Sequence, residues 1–245
     1  MSGAGARHKA LIRFRPLLVP TLVTAAGLVL CTGLGIWQLQ RLEWKEALIA
    51  TMQARIAAPA ISLDEALALG PQEAEWRHVR VTGRFLYDKE AYLFAPGPDG
   101  APGLHVITPL MGADGSAVLI DRGFVPERLR DPDVRGEGQV AGEVSVSGVL
   151  RANHAPGIFT PEPDLVSRLW FARDAGAMAA ALGVHIAAPL VIEADSAPNP
   201  GGWPLGGGTR LDIPNDHLGY ALTWFGLALA LLAVYLVYHR RQGRL

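Results

Sequence analysis

LLVPTLVTAAGLVLCTGLGIW (residues 17–37) and LGYALTWFGLALALLAVYLVY (residues 218–238) each run for 21 residues without a charge. At ~1.5 Å of rise per residue a helix of that length crosses a hydrocarbon core of ~30 Å, so each run reads as a transmembrane helix. The second run carries Tyr220 and Trp224 near one end and Tyr235 and Tyr238 near the other, where aromatic rings mark the two water interfaces. The first exceeds the ~7–15 apolar residues of a signal peptide, and no A-x-A site precedes Trp37, so it reads as a retained span.

The flanks set the orientation. Arg7, Lys9, Arg13 and Arg15 precede the first span, and Arg240, Arg241 and Arg244 follow the second, so both tails are expected on the cytoplasmic side. The expected organisation is a tail at 1–16, a span at 17–37, an extracytoplasmic portion at 38–216, a span at 217–238 and a tail at 239–245. The N-terminal tail lacks an Arg- and Ser-rich transit segment, which favours a bacterial inner membrane with the middle portion in the periplasm. Half of the 245 residues are apolar and 18 % are charged, a mixture of soluble and membrane composition. A net charge of −1 with scattered basic residues argues against nucleic acid as a partner. One cysteine, Cys31, excludes an internal disulfide, a CxxC redox centre and a paired-thiolate metal site.

Between the spans the first helix is expected to continue over 38–58, because Trp37, Arg41 and Trp44 recur at helical spacing and no breaker appears before Pro59. Ser62 and Glu65 have the spacing of a capping box, and Gly70-Pro71 supplies a stop, which predicts a short helix over 63–69. Short segments rich in β-branched and aromatic residues follow at 79–85, 91–94, 105–110, 117–125, 144–150 and 189–193, separated by turn residues. A helix over 175–182, with Asp174 ahead and Gly183 behind, interrupts them. The fold class is therefore an α+β membrane protein. Two transmembrane helices flank a mainly antiparallel β domain, barrel- or sandwich-like, over 59–212, with one or two short helices.

Gly35-Ile36-Trp37-Gln38, Arg41 and Trp44-Lys45 mark the outer exit of the first span, and Asn215-Asp216-His217-Leu218, Tyr220 and Thr223-Trp224-Phe225 the outer entrance of the second. With Trp76-Arg77, Val81-Thr82-Gly83-Arg84-Phe85, Val118 to Pro126, Phe159-Thr160-Pro161 and the glycine-rich stretch before Leu211, these motifs make the chain resemble the Surfeit locus protein 1 family of cytochrome oxidase assembly factors. The resemblance covers nearly the whole chain, with Asp121 where Asn is common in the family and Phe124 where Trp is common. It implies a protein that is not an enzyme. Its expected role is to bind or deliver a-type haem, as transient cargo, for insertion into the catalytic subunit of a haem-copper oxidase. A haem-independent scaffold for oxidase subunits is the alternative. The implied partners are oxidase subunit I, haem a synthase and the lipid bilayer. The family's histidine at the start of the second span corresponds to His217, the implied ligand of the haem iron.

Taken without the resemblance, the same residues fit two readings. Asn215 or Asp216 stands at the N-cap position, placing His217 in the first turn with Tyr220 and Trp224 at i+3 and i+7, a stripe suited to a porphyrin face. Interfacial anchoring explains the two aromatic residues equally well. Trp37 and Arg41 emerge from the other span at the same interface, where Arg41 could meet a haem propionate or a lipid headgroup. Gly27, Cys31 and Gly35 at i+4 spacing, with Gly226 and Ala230 opposite, are expected to pack the two helices closely. His78, His105, His154 and His185 are too dispersed for a metal motif. Asp121-Arg122 is expected to be a structural ion pair or turn element, and 201–208 a linker or flap.

Overall fold

The structure, a computed structural model, describes residues 15–96, 100, 102–209 and 213–244. Arg7, Lys9 and Arg13, and residues 210–212 at the end of the expected β-rich segment, lie outside them. Two compact units emerge: α1 through Ala50 with the C-terminal helix, and Thr51 onward through the sheet.

Helix α1 (Leu18–Ala57) is continuous for 40 residues, nearly twice the uncharged run. Pro20 sits in its first turn, where a missing N–H leaves no intrahelical bond unmade, and the helix stops two residues before Pro59. The second long helix, α5 (His217–Arg241), follows three shorter α-helices in the chain. It runs antiparallel to α1, and a ladder of contacts sets the register. Leu17 N–H donates to His239 Nε2 at 3.2 Å and Thr21 Oγ1 meets the Tyr235 hydroxyl at 2.8 Å, while Gln38 lies opposite His217 at the far end.

Between these ends, the space a side chain at Gly27 would take holds Leu231, and that at Gly35 holds Phe225. The small-residue face of α1 is thus where the sequence places it, but its complement is not. Gly226 and Ala230 are exposed, and the buried small residues of α5 are Ala221 and Ala228. Two large side chains fill glycine notches, because the seam on α5 follows 217, 221, 225, 228, 231 and 235, a row that 226 and 230 do not join.

In the sheet unit Ser62 caps the short helix α2 (Leu63–Ala68) through the full capping box with Glu65. Gly70, at φ +82°, turns the chain, and Pro71 opens a further one-turn helix, α3 (Pro71–Ala74), where only a stop is expected from sequence. All six expected strands form, lengthened at their ends: β2 (His78–Phe85), β3 (Ala91–Pro96), β4 (Pro102–Met111), β5 (Ala117–Pro126), β6 (Val144–Ala152) and β8 (Ile186–Ala194). Two-residue strands β1 (Ile61–Ser62) and β7 (Leu169–Trp170), too short for any periodicity, complete the set.

The order is β1-β2-β6-β8-β5-β4-β3-β7, and β2 also pairs with β4, which closes β2, β6, β8, β5 and β4 into a ring. At the closing point Gly83 lies against the Met111 carbonyl, an approach that any Cβ would block. Most pairings are antiparallel, but β5–β8, β1–β2 and β3–β7 are parallel. Inside the barrel Val79, Val81, Leu110, Val118, Ile120, Leu150, Leu190 and Ile192 pack together. Leu119 and Val191 take the opposite face, where helix α4 (Ala175–Leu182) lays Ala175, Met178 and Leu182 across Ile107. Asp174 caps α4 by accepting from Ala177 N–H, and Gly183 ends it at φ +63°.

Candidate functional site

Gln38 and His217 pair across the outer end of the helix seam. Gln38 is 9 % exposed, and its Oε1 lies 2.6 Å from His217 Nδ1. A carbonyl oxygen only accepts, so Nδ1 is the donor, and in a neutral imidazole that tautomer leaves the lone pair on Nε2. Gln38 belongs to the quoted motif but sequence reasoning did not single it out; the signal was an amide directly after an uncharged run. Asp216 occupies the N-cap position as expected, yet its side chain makes no capping bond, so the first turn is held by other means. One of them is Lys45 Nζ, which donates to the Pro214 carbonyl just before α5.

The antiparallel register sets Gln38 level with His217. At ~100° per residue, Trp37 and Arg41 then fall on the same flank of the helix pair as Tyr220 and Trp224. Trp37 and Tyr220 are half exposed, at 50 % and 58 %, while Trp224 is half-buried. Arg41 is exposed, with its guanidinium 4.3 Å from the centre of the Trp44 ring. The five residues singled out from sequence therefore line one end and one side of a two-helix unit. Their apolar surfaces face outward, and one imidazole nitrogen is unused by the Gln38 bond.

Several charged groups in the sheet unit pair with one another. Asp121 accepts from His105 at 2.8 Å and Arg122 approaches Glu90 at 3.4 Å, so the two do not pair with each other; of the two expected roles Asp121 takes the local one, accepting from the Gly123 N–H at 3.0 Å. Neighbours on a strand point to opposite faces, which separates them. Glu193 accepts from Arg151 at 2.9 Å, Arg173 at 2.6 Å and Thr209 at 2.7 Å, and His78 meets Asp195 at 2.7 Å. The stretch 201–208 is not a free linker: Leu205 bridges to Phe124, against Gly123 at φ +115°, where a side chain would strike the Leu205 carbonyl. Among the described residues no group of three metal-ligating side chains occurs.

Burial opposes a charge on His105, but the hydrogen bond and charge of Asp121 outweigh it and raise the imidazole above its usual value. A raised histidine stabilises the fold fully below its unfolded pKa of ~6.5 and loses that contribution as pH climbs through the higher folded value. Denaturant unfolding should accordingly show stability falling as pH rises above about 6.5. Asp121→Asn should flatten this fall, and an unchanged slope in the variant would show that the pair carries no linkage.

The family profile described as SURF1 family matches residues 25–229 of the chain. Surfeit locus protein 1 of Homo sapiens is 34 % identical over 245 residues, covering 94 % of this chain and 78 % of that one. For the Mus musculus protein of the same name the figures are 38 % over 213 residues, 81 % and 68 %. A SURF1-like protein of Monosiga brevicollis is 36 % identical over 233 residues, covering 88 % of this chain and 85 % of that one.

Proposed function

The chain belongs to the SURF1 family, and from that premise we propose that it is a membrane-bound assembly factor for haem-copper cytochrome oxidase. In this reading it holds a-type haem through His217 and passes it to subunit I, near the haem a synthase that makes it. The protein performs no bond-making chemistry on its cargo; it holds, orients and releases.

The observation that carries this reading is the Gln38–His217 hydrogen bond. Histidines that ligate metals commonly donate their other ring N–H to a carbonyl or carboxylate, which fixes the tautomer and the ring plane. Here Gln38 does this from the neighbouring helix and leaves Nε2 for iron. Tyr220 and Trp224 offer aromatic surface to a porphyrin and its lipid-soluble tail, on the side open to lipid. Arg41, now stacked on Trp44, stands about one turn further out than Trp37, at a depth suited to a propionate. Protein purified in detergent from membranes that make haem a should carry a haem absorption band. Colourless protein from such membranes would favour a scaffold that never touches haem.

The same reading places both chain ends in the bacterial cytoplasm and the sheet unit in the periplasm. Arg15 N–H donates to the Arg244 carbonyl at 3.2 Å, so the basic flanks share one end of the helix pair. A reporter active only outside the cytoplasm should work when inserted at Gly157 and stay silent when fused after Arg244. Activity at the C-terminal position would reverse the orientation.

A further inference from the structure

The interior row of β5 runs Val118, Ile120, Arg122, and its third member changes the character of the barrel. Below Arg122 the interior is apolar; at its level the barrel opens into a cavity of about 220 Å³, walled by Phe85, Val144, Val146 and Ala194. Arg122 is 4 % exposed and lies 5.1 Å and 5.0 Å from the ring centres of Phe85 and Tyr87. Nearby, Glu90 and Arg135 are equally buried, at 2 % and 6 %. The two guanidiniums do not share the carboxylate evenly. Arg135 takes both Glu90 oxygens, at 2.5 and 3.2 Å, and donates two more bonds to the Leu129 and Arg130 carbonyls. Arg122 keeps one long contact of 3.4 Å to Glu90 and a bond to the Gly138 carbonyl. Two cations against one anion leave a unit of positive charge buried, and it resides on the arginine that lines the cavity. A buried uncompensated charge is costly, and an anion in the cavity removes the cost.

We infer that this barrel mouth is a binding site for a carboxylate. Barrel mouths are preferred ligand sites, the volume exceeds the ~150 Å³ that accepts a benzene ring in an engineered cavity, and a guanidinium matches the carboxylate fork. Ser145, Ser147 and Asn199 add polar groups around the cavity. Asp195 also lines it; its carboxylate is 40 % exposed and bonded to His78, so water and the imidazole screen it from an incoming anion. The carboxylate could belong to a small acid or to a peptide, and the test separates the two. Full-length protein in detergent is titrated with propionate, with its neutral counterpart propionamide, and with an acetylated tripeptide as its acid and as its amide, binding being read by ligand-observed NMR. Saturable binding of an acid, at least about tenfold tighter than its amide, is the expected result. Propionate binding alone assigns a small acid; tighter peptide binding assigns a chain end or acidic side chain. Arg122→Lys, which keeps the charge but loses the fork, should weaken the acid about tenfold. Ala197→Trp on the exposed rim should block entry without altering the melting temperature, and it keeps the test open if Arg122→Lys folds poorly. Equal binding of acid and amide, no saturable binding of either acid, or binding unchanged by Ala197→Trp would overturn the inference.

Discussion

His217→Ala is expected to purify without haem from membranes in which the wild-type protein carries it. The imidazole Nε2 is the donor that Gln38 leaves free at the outer end of the seam, and an alanine offers iron nothing in its place. Removal also strands Gln38, a seam residue that is 9 % exposed, so the variant should lose about 1–3 kcal/mol for the unpaired amide. That is more than a capless first-turn residue would cost, and accumulation of the variant in membranes has to be measured beside its spectrum. Gln38→Leu separates orientation from ligation: the ligand stays but its tautomer is no longer set, and affinity should fall about 10–100-fold with a changed spectrum. A full haem complement in His217→Ala would place the axial ligand elsewhere.

Glu90→Ala is expected to be the most destabilising single change in the sheet unit. The carboxylate is 2 % exposed and is the only acidic partner of Arg122 and Arg135 among the described residues. Breaking a buried ion pair from one side leaves its partner charged and dry, which costs about 3–5 kcal/mol. Here two partners are stranded. For a unit of this size the loss lowers the melting temperature by on the order of 10 °C. Glu90→Gln, which keeps hydrogen-bond acceptance by one oxygen, should fall between the two. A fall of less than about 1 kcal/mol in Glu90→Ala, near the ordinary effect of a point change, would mean that the arginines find other compensation.

The residues that sequence reading captured are those governed by local rules. Two uncharged runs of membrane length, the Ser62–Glu65 capping box, the Asp174 and Gly183 ends of α4, and six turn-bounded strands all appear where the pattern puts them. Each depends on spacing within one segment, and spacing is visible in one dimension. The place of His217 at the head of the second span was legible for the same reason, whereas its proposed role as a ligand came from the family resemblance.

Partnership between distant segments was not legible. Asp121 and Arg122 look like a pair because they adjoin, yet strand alternation sends one to His105 and the other to Glu90. Gly226 and Ala230 have the right size and spacing for a packing face, but the rotation of α5 is set by where Phe225 and Leu231 meet the glycines of α1. Gln38 becomes a candidate site residue only once the antiparallel register brings it to His217, 179 positions away. The parallel β5–β8 pairing and the ring closure through β2–β4 likewise bind segments that share no local signal. Local periodicity determines which elements form and which face is apolar. Which side chain answers a buried charge is decided by register and rotation, and these come from the packing of the whole unit.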